Sequence, residues 1–179
     1  MRNRQFSSGS ASRVALGGVL AALSLLLLYL ASMMPSGRLG LVAVAGLVPA
    51  AAVVSAGYVG GFLCYGAAGI LGLLLLPEKG CAVLYLVLFG LYPMVKSAIE
   101  RLRKLPLELV LKLVFFNLVL TVLVLVFSKF LFPMLPELLQ STWILYAAGN
   151  VVFLIYDYGF SKLITFYTVR VHRIVRKHR

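Results

Sequence analysis

Long apolar runs separated by short polar segments dominate the chain. A polar, basic start is followed by apolar runs at residues 14–34, 39–76, 81–95, 107–127 and 141–164. About 20 apolar residues are enough to cross a bilayer as a helix, and the first run is too long for a signal-peptide core. The pattern therefore predicts an all-α, polytopic membrane protein.

The run at 39–76 contains no charged residue and would overshoot the hydrocarbon core as one helix. We expect two spans, divided by a tight reversal near Ser55-Ala56-Gly57. Pro49 lies inside the first of them and is expected to kink or shorten it. This division gives six transmembrane helices.

The polar segments between the runs supply the boundaries. Proline and glycine predict turns at 35–38, 77–80 and 132–137, and Pro106 is expected at the first position of the fifth helix. Residues 96–104 form a basic connector that we expect to be solvated. The predicted organisation is a basic N-terminus (1–13), a six-helix domain (14–168) and a basic tail (169–179).

Composition excludes a water-soluble protein. The chain is 62% hydrophobic and 12% charged, whereas soluble domains have about 25% charged residues. The net charge of +12 could suggest a nucleic-acid partner, but the basic residues punctuate apolar runs instead of covering a polar surface. We therefore expect no nucleic acid as a partner.

The positions of the 17 lysines and arginines predict the orientation. With the N-terminus inside and six spans, 14 of them lie inside, and only Arg38, Lys79 and Lys129 lie outside. The positive-inside rule favours a multi-pass cell-membrane protein with both termini in the cytoplasm. The tail, with Arg170 and Arg173, is expected to form a helix that attracts anionic lipid, with docking of a cytoplasmic partner as the alternative.

Sequence motifs of membrane enzymes are absent. The chain has no phosphate loop, no H-E-x-x-H and no G-x-S-x-G, and both histidines, His172 and His178, lie in the tail. Cys64 and Cys81 match no metal or redox spacing. The sequence predicts a protein that is not an enzyme, with no catalytic residue, metal or cofactor.

Polar residues inside the last spans are candidate site residues, because such groups are costly in lipid. In the sixth span Tyr146, Asn150 and Asp157 share one face, and Asn117 shares a face with Thr121 in the fifth. Two interpretations stay open for them, helix–helix hydrogen bonding or the wall of a small polar cavity. Lys112 is expected either to extend to the inner surface or to pair with Asp157 across the bundle, and Lys96 is a second possible partner.

The first three spans are instead rich in glycine and alanine. Gly17/Ala21 and Gly18/Ala22 are small-x-x-x-small pairs, which allow helix backbones to approach closely. They indicate either packing within the chain or a smooth face for a second membrane subunit.

This layout resembles the substrate-binding (S) components of energy-coupling-factor (ECF) vitamin transporters over about residues 13–168. It shares their length, six spans and two cytoplasmic ends, a loop with Pro35, Gly37 and Arg38, and a glycine-rich third span. The small pairs of the first span correspond to that family's alanine pair, although here they are partly glycine.

The resemblance implies an outward pocket for a small, vitamin-like molecule. The candidate substrate-binding residues are Arg38, Tyr85, Asn117, Trp143, Tyr146 and Asn150. The face of Gly17, Gly18, Ala21 and Ala22 would dock on an ECF-type transmembrane coupling subunit driven by cytoplasmic ATPases. A non-catalytic scaffold of the bacterial cell envelope, of the MreD type, is the alternative.

Overall fold

The computed structural model describes residues 4–128 and 141–177, and every regular element in those residues is helical. The predicted all-α fold is confirmed. Five stretches of the described residues are long and apolar enough to cross a membrane: 14–33, 38–75, 79–102, 105–126 and 143–169. The predicted loop at 132–137 lies outside the described residues.

The chain divides into two units, Met1–Pro136 and Glu137–Arg179. The helices of the first unit are α1 (Arg4–Met33), α2 (Arg38–Ala45), α3 (Val48–Leu75), α4 (Lys79–Leu84), α5 (Tyr92–Ile99) and α6 (Leu105–Val126). A π-helical segment, Tyr85–Phe89, follows α4, and a 3-10 turn, Glu100–Leu102, follows α5. The helix of the second unit is α7 (Thr142–Lys177), which continues through most of the basic tail.

The chain reverses direction at Gly57, inside α3. Gly57 has φ 79° and ψ −177°, a conformation that is essentially limited to glycine. A Cβ added to Gly61 would meet Val53 and would lie 3.4 Å from the carbonyl oxygen of Pro49. In a straight helix Pro49 and Gly61 would be about 18 Å apart. The 38-residue apolar stretch is therefore a helical hairpin, as predicted for the region of Ser55-Ala56-Gly57.

The first arm of this hairpin is itself interrupted before Pro49. The helix breaks at Gly46-Leu47, and Pro49 occupies the first turn of α3, where a missing backbone N–H costs nothing. Gly46 is required there because an added Cβ would lie 2.6 Å from the carbonyl oxygen of Phe89. The expected disturbance near Pro49 is thus a break three residues earlier, where α2 and α3 meet the π segment.

Two contacts show which loops share an end of the first unit. Arg38 Nη1 lies 3.8 Å from Glu78 Oε2, which joins the turn after α1 to the turn after α3. At the opposite end the Tyr58 hydroxyl is 2.7 Å from Ser97 Oγ, which joins the reversal to α5. We call these the Arg38 end and the Gly57 end.

The broken helix 79–102 is the centre of the first unit. In the most apolar 18 residues of this helix 56% of the residues are buried, whereas the buried fraction of the corresponding segment is 28% in α1 and 28% in α6. Because α1 and α6 expose most of their apolar residues, their outer faces are suited to lipid. The interior is filled by small residues on one side, including Ala21, Ala52 and Cys64, and by the aromatic residues of 85–92 on the other.

Candidate functional site

A groove lies between residues 14–21 of α1 and the second arm of α3, near the Gly57 end. Its volume is about 530 Å³, within the roughly 300–1,000 Å³ of small-molecule sites. Gly17, Gly18 and Ala21 form one wall, and Gly60 and Leu63 belong to the other. Tyr58 is the one lining residue with a polar side-chain atom.

The two small-residue pairs of α1 face different ways. Ala21 is buried against Val48, Ala52 and Cys64, and Gly17 is buried beside α3. Gly18 and Ala22 are exposed. Of the four residues predicted to meet a coupling subunit, Gly17 and Ala21 therefore pack within the chain, while Gly18 and Ala22 are accessible to another helix.

Arg38 lies at the turn that connects α1 with α2. Its Nε donates a hydrogen bond to the Met34 carbonyl oxygen (2.6 Å), and its guanidinium faces Glu78. Gly37, with φ 79°, allows the sharp turn, as the Pro35–Arg38 composition predicted. Arg38 is thus held at the Arg38 end and remains partly exposed.

Tyr85, another candidate substrate-binding residue, is fully buried. Ser24 Oγ donates to the Ala45 carbonyl oxygen (3.1 Å) and is also hydrogen-bonded to the Tyr85 hydroxyl (3.1 Å). Tyr65 packs beside the Tyr85 ring and donates to the Leu86 carbonyl oxygen (2.7 Å) in the π segment. In this structure the side chain of Tyr85 faces packed protein.

The candidate amides bond within their own helices. Asn117 Nδ2 donates to the Leu113 carbonyl oxygen in α6, and Asn150 Nδ2 donates to the Tyr146 carbonyl oxygen in α7, each at 2.8 Å. Thr121 donates to the Asn117 carbonyl oxygen (2.7 Å), as their predicted common face allows. Trp143 is 87% exposed. Asn117 belongs to the first unit, whereas the candidates at 143, 146 and 150 belong to the second. A pocket that contains all four residues stays a prediction.

The structure reveals a charge cluster that sequence reasoning missed. Lys96 Nζ and Lys112 Nζ each lie 2.8 Å from the same oxygen, Oε1 of Glu100. Lys96 is 1% exposed and Lys112 is 6% exposed. The prediction that the connector from Lys96 onward is solvated is therefore wrong at its first residue. The i, i+4 spacing of Lys96 and Glu100 was the sequence signal for an ion pair.

A pair of stacked aromatic rings lies beside this cluster. Lys96 Nζ lies 5.9 Å from the centre of the Tyr92 ring, which stacks with Phe115 of α6 at 6.0 Å. Two ammonium groups that share one carboxylate in a partly apolar site need such compensation, because burying a charge without a partner is costly. Asp157 lies in α7, and its pairing with Lys112 stays a prediction.

Among the residues that the structure describes, no cluster of titratable side chains is suited to a metal ion. Within residues 4–128 and 141–177, no three histidine, cysteine or acidic side chains lie together as metal ligands would. Cys64 and Cys81 are both buried free thiols. Comparison with known proteins finds no matching family model, no matching curated protein and no matching solved structure.

Proposed function

We propose that the chain is a six-span protein of the cell membrane with both termini in the cytoplasm. The hairpin at Gly57 supports six spans, because each arm measures about 27–28 Å at 1.5 Å per residue, close to the hydrocarbon thickness of about 30 Å. The Gly57 end carries Lys96, Arg101, Arg103 and Lys104, whereas the Arg38 end pairs its arginine with Glu78. This asymmetry favours the Gly57 end as the cytoplasmic one.

Within that topology, the chain is the small-molecule-binding subunit of an ECF-type uptake transporter. One observation carries this proposal: Gly18 and Ala22 form an exposed small-residue face on α1, beside the groove, while their neighbours Gly17 and Ala21 are already packed. Small residues left on an outer helix face let a second membrane helix approach closely. A coupling subunit linked to cytoplasmic ATPases would dock there.

Substrate would enter from the Arg38 end. Arg38 is partly exposed there, and an arginine suits the carboxylate or phosphate of a vitamin-like molecule. Asn117, Trp143, Tyr146 and Asn150 would complete the pocket in this proposal. The Lys112–Asp157 pair would hold helices together and take no part in binding.

The alternative is a non-catalytic scaffold of the bacterial envelope. The burial of Tyr85 and its hydrogen bond to Ser24 favour this alternative, because a candidate pocket residue is used for packing. A scaffold would use the same exposed face of α1 for a partner but would hold no substrate.

Gentle extraction followed by native mass spectrometry separates the two functions. The transporter subunit is expected to carry one small molecule at about 1:1 and to co-purify with an ATPase pair. Ala22→Leu should abolish co-purification and leave the small molecule bound, and Ala147→Leu, an equally exposed alanine in α7, should change neither. A protein with partners but no bound small molecule would favour the scaffold.

A further inference from the structure

The groove between α1 and α3 has the walls expected for a hydrocarbon chain. Ten of its eleven lining residues are glycine, alanine, valine or leucine. Those ten residues offer no side-chain hydrogen bond, and the hydroxyl of Tyr58 is already bonded to Ser97, so a polar ligand would lose its hydration with little compensation. Methylene groups lose nothing on entering such a groove and gain contacts with its walls.

The rim of the groove carries a positive charge. The Arg101 guanidinium lies 4.7 Å from the centre of the Tyr58 ring, and Tyr58 lines the groove. The hydrogen bond between the hydroxyls of Tyr58 and Ser97 (2.7 Å) holds this ring in place. Arg101 itself is exposed, and its planar fork of N–H donors matches the oxygens of a phosphate group.

We propose that this groove binds one anionic phospholipid, with an acyl chain between α1 and α3 and its phosphate at Arg101. An apolar slot with a guanidinium at its mouth is complementary to an amphiphile of that kind. The site shares Gly18 with the exposed Gly18 and Ala22 face, and the binding of the lipid does not depend on the transporter function. The lipid would form part of the surface that another membrane protein meets.

The test uses the full chain, purified in detergent and offered equal amounts of dioleoyl phosphatidylglycerol and dioleoyl phosphatidylcholine. Native mass spectrometry should show one retained lipid per chain and a preference of about fivefold for phosphatidylglycerol, the effect of one basic residue near an anionic headgroup. Arg101→Gln should bring this preference close to one. Lys104→Gln, which removes an equal charge from the same connector, should keep it.

A second pair of variants tests the slot. A Cβ added at Gly18 meets no atom within 4 Å, and Gly18 lines the groove, so Gly18→Leu is expected to fold and to place its side chain in the groove. Retention of both lipids should fall several-fold. Gly66→Leu, also free of close neighbours but outside the groove, should retain lipid as the unchanged chain does. Ala67→Leu repeats the test from the α3 wall if Gly18→Leu does not fold.

Four outcomes would overturn the proposal. Unchanged retention in folded Gly18→Leu and Ala67→Leu would remove the groove as the site, and an unchanged lipid preference in Arg101→Gln would remove the headgroup contact. Displacement of phosphatidylglycerol by inorganic phosphate would show that a free anion suffices. If the chain carries no lipid but binds a protein helix at Gly18, the groove is a docking site for that helix and not for a lipid.

Discussion

The two sides of the first unit are stabilised by different physical means. The side formed by α1, α2 and α3 is packed through small residues, so that glycine and alanine bring backbones together. The side formed by the broken helix 79–102 and α6 is held by two buried lysines on one carboxylate and by stacked aromatic rings. In a bilayer, where the hydrophobic effect does not drive helices together, both means are available.

The difference matters for how each side responds to change. Packing contacts are spread over many atoms, each worth only about 0.1–0.2 kcal/mol, whereas the charge cluster concentrates its stabilisation in one carboxylate. We therefore expect single substitutions to have their largest effect in the charged side and smaller effects in the small-residue side.

Glu100→Gln should have the largest effect. It leaves Lys96 and Lys112 buried without the carboxylate they share, at a cost of about 2–3 kcal/mol, because the half-exposed position of Glu100 screens part of the interaction. The free energy of unfolding, measured by denaturant titration in detergent micelles, checks this value. Glu108→Gln in the first turn of α6 is the control and should change it little. Equal losses in both variants would mean that the cluster does not hold this side together.

Gly57→Ala should have the next largest effect. The backbone at Gly57 has a conformation that an alanine reaches only at a cost of about 1–3 kcal/mol. The same unfolding titration applies, together with a cross-link between cysteines placed at Val53 and Gly61, which the reversal brings together. Gly66→Ala, in regular helix with open space around it, should be neutral or slightly stabilising. If Gly57→Ala behaves like Gly66→Ala, the hairpin does not depend on that residue.

Ser24→Ala should have the smallest effect and tests the link between the two sides. Ser24 of α1 bonds Tyr85 of the π segment, and a lost buried hydrogen bond costs about 1 kcal/mol. A double-mutant cycle with Tyr85→Phe measures the coupling directly. A coupling energy near zero would show that the two sides associate by packing alone. A coupling close to the full loss would make this hydrogen bond a specific connection.

Much of the fold follows from the lengths of the apolar runs and from the positions of the glycines and prolines. The uncharged stretch 39–76 is longer than a bilayer is thick, so the sequence predicts two helices in it. The reversal between them lies at Gly57. Pro106 is the second residue of α6, one position later than predicted, and still lies in the first turn, where its missing N–H is tolerated. Properties of this kind depend on a few neighbouring residues and are visible in the sequence.

Other features depend on contacts between distant segments and are hidden in the sequence. Gly17 and Gly18 have the same kind of partner four residues later, yet only the first faces α3. By composition, Lys96 belongs to a charged segment that would be expected to contact water. In the structure it is buried, and it shares the carboxylate of Glu100 with Lys112 from the next helix. The π segment 85–89 has no sequence signature and arises where Gly46 and Gly90 let other segments approach it.

The reversal at Gly57 has a consequence for how these apolar helices would insert into a membrane. Its two arms are joined by a single non-helical residue, with no charged loop for the insertion machinery to retain on one side. Because no charged residue follows the first arm, nothing anchors its C-terminal end at the membrane surface before the second arm is synthesised. The two arms are therefore expected to insert into lipid together. The orientation of that unit would be set by the basic residues in the first part of α1 and after α5.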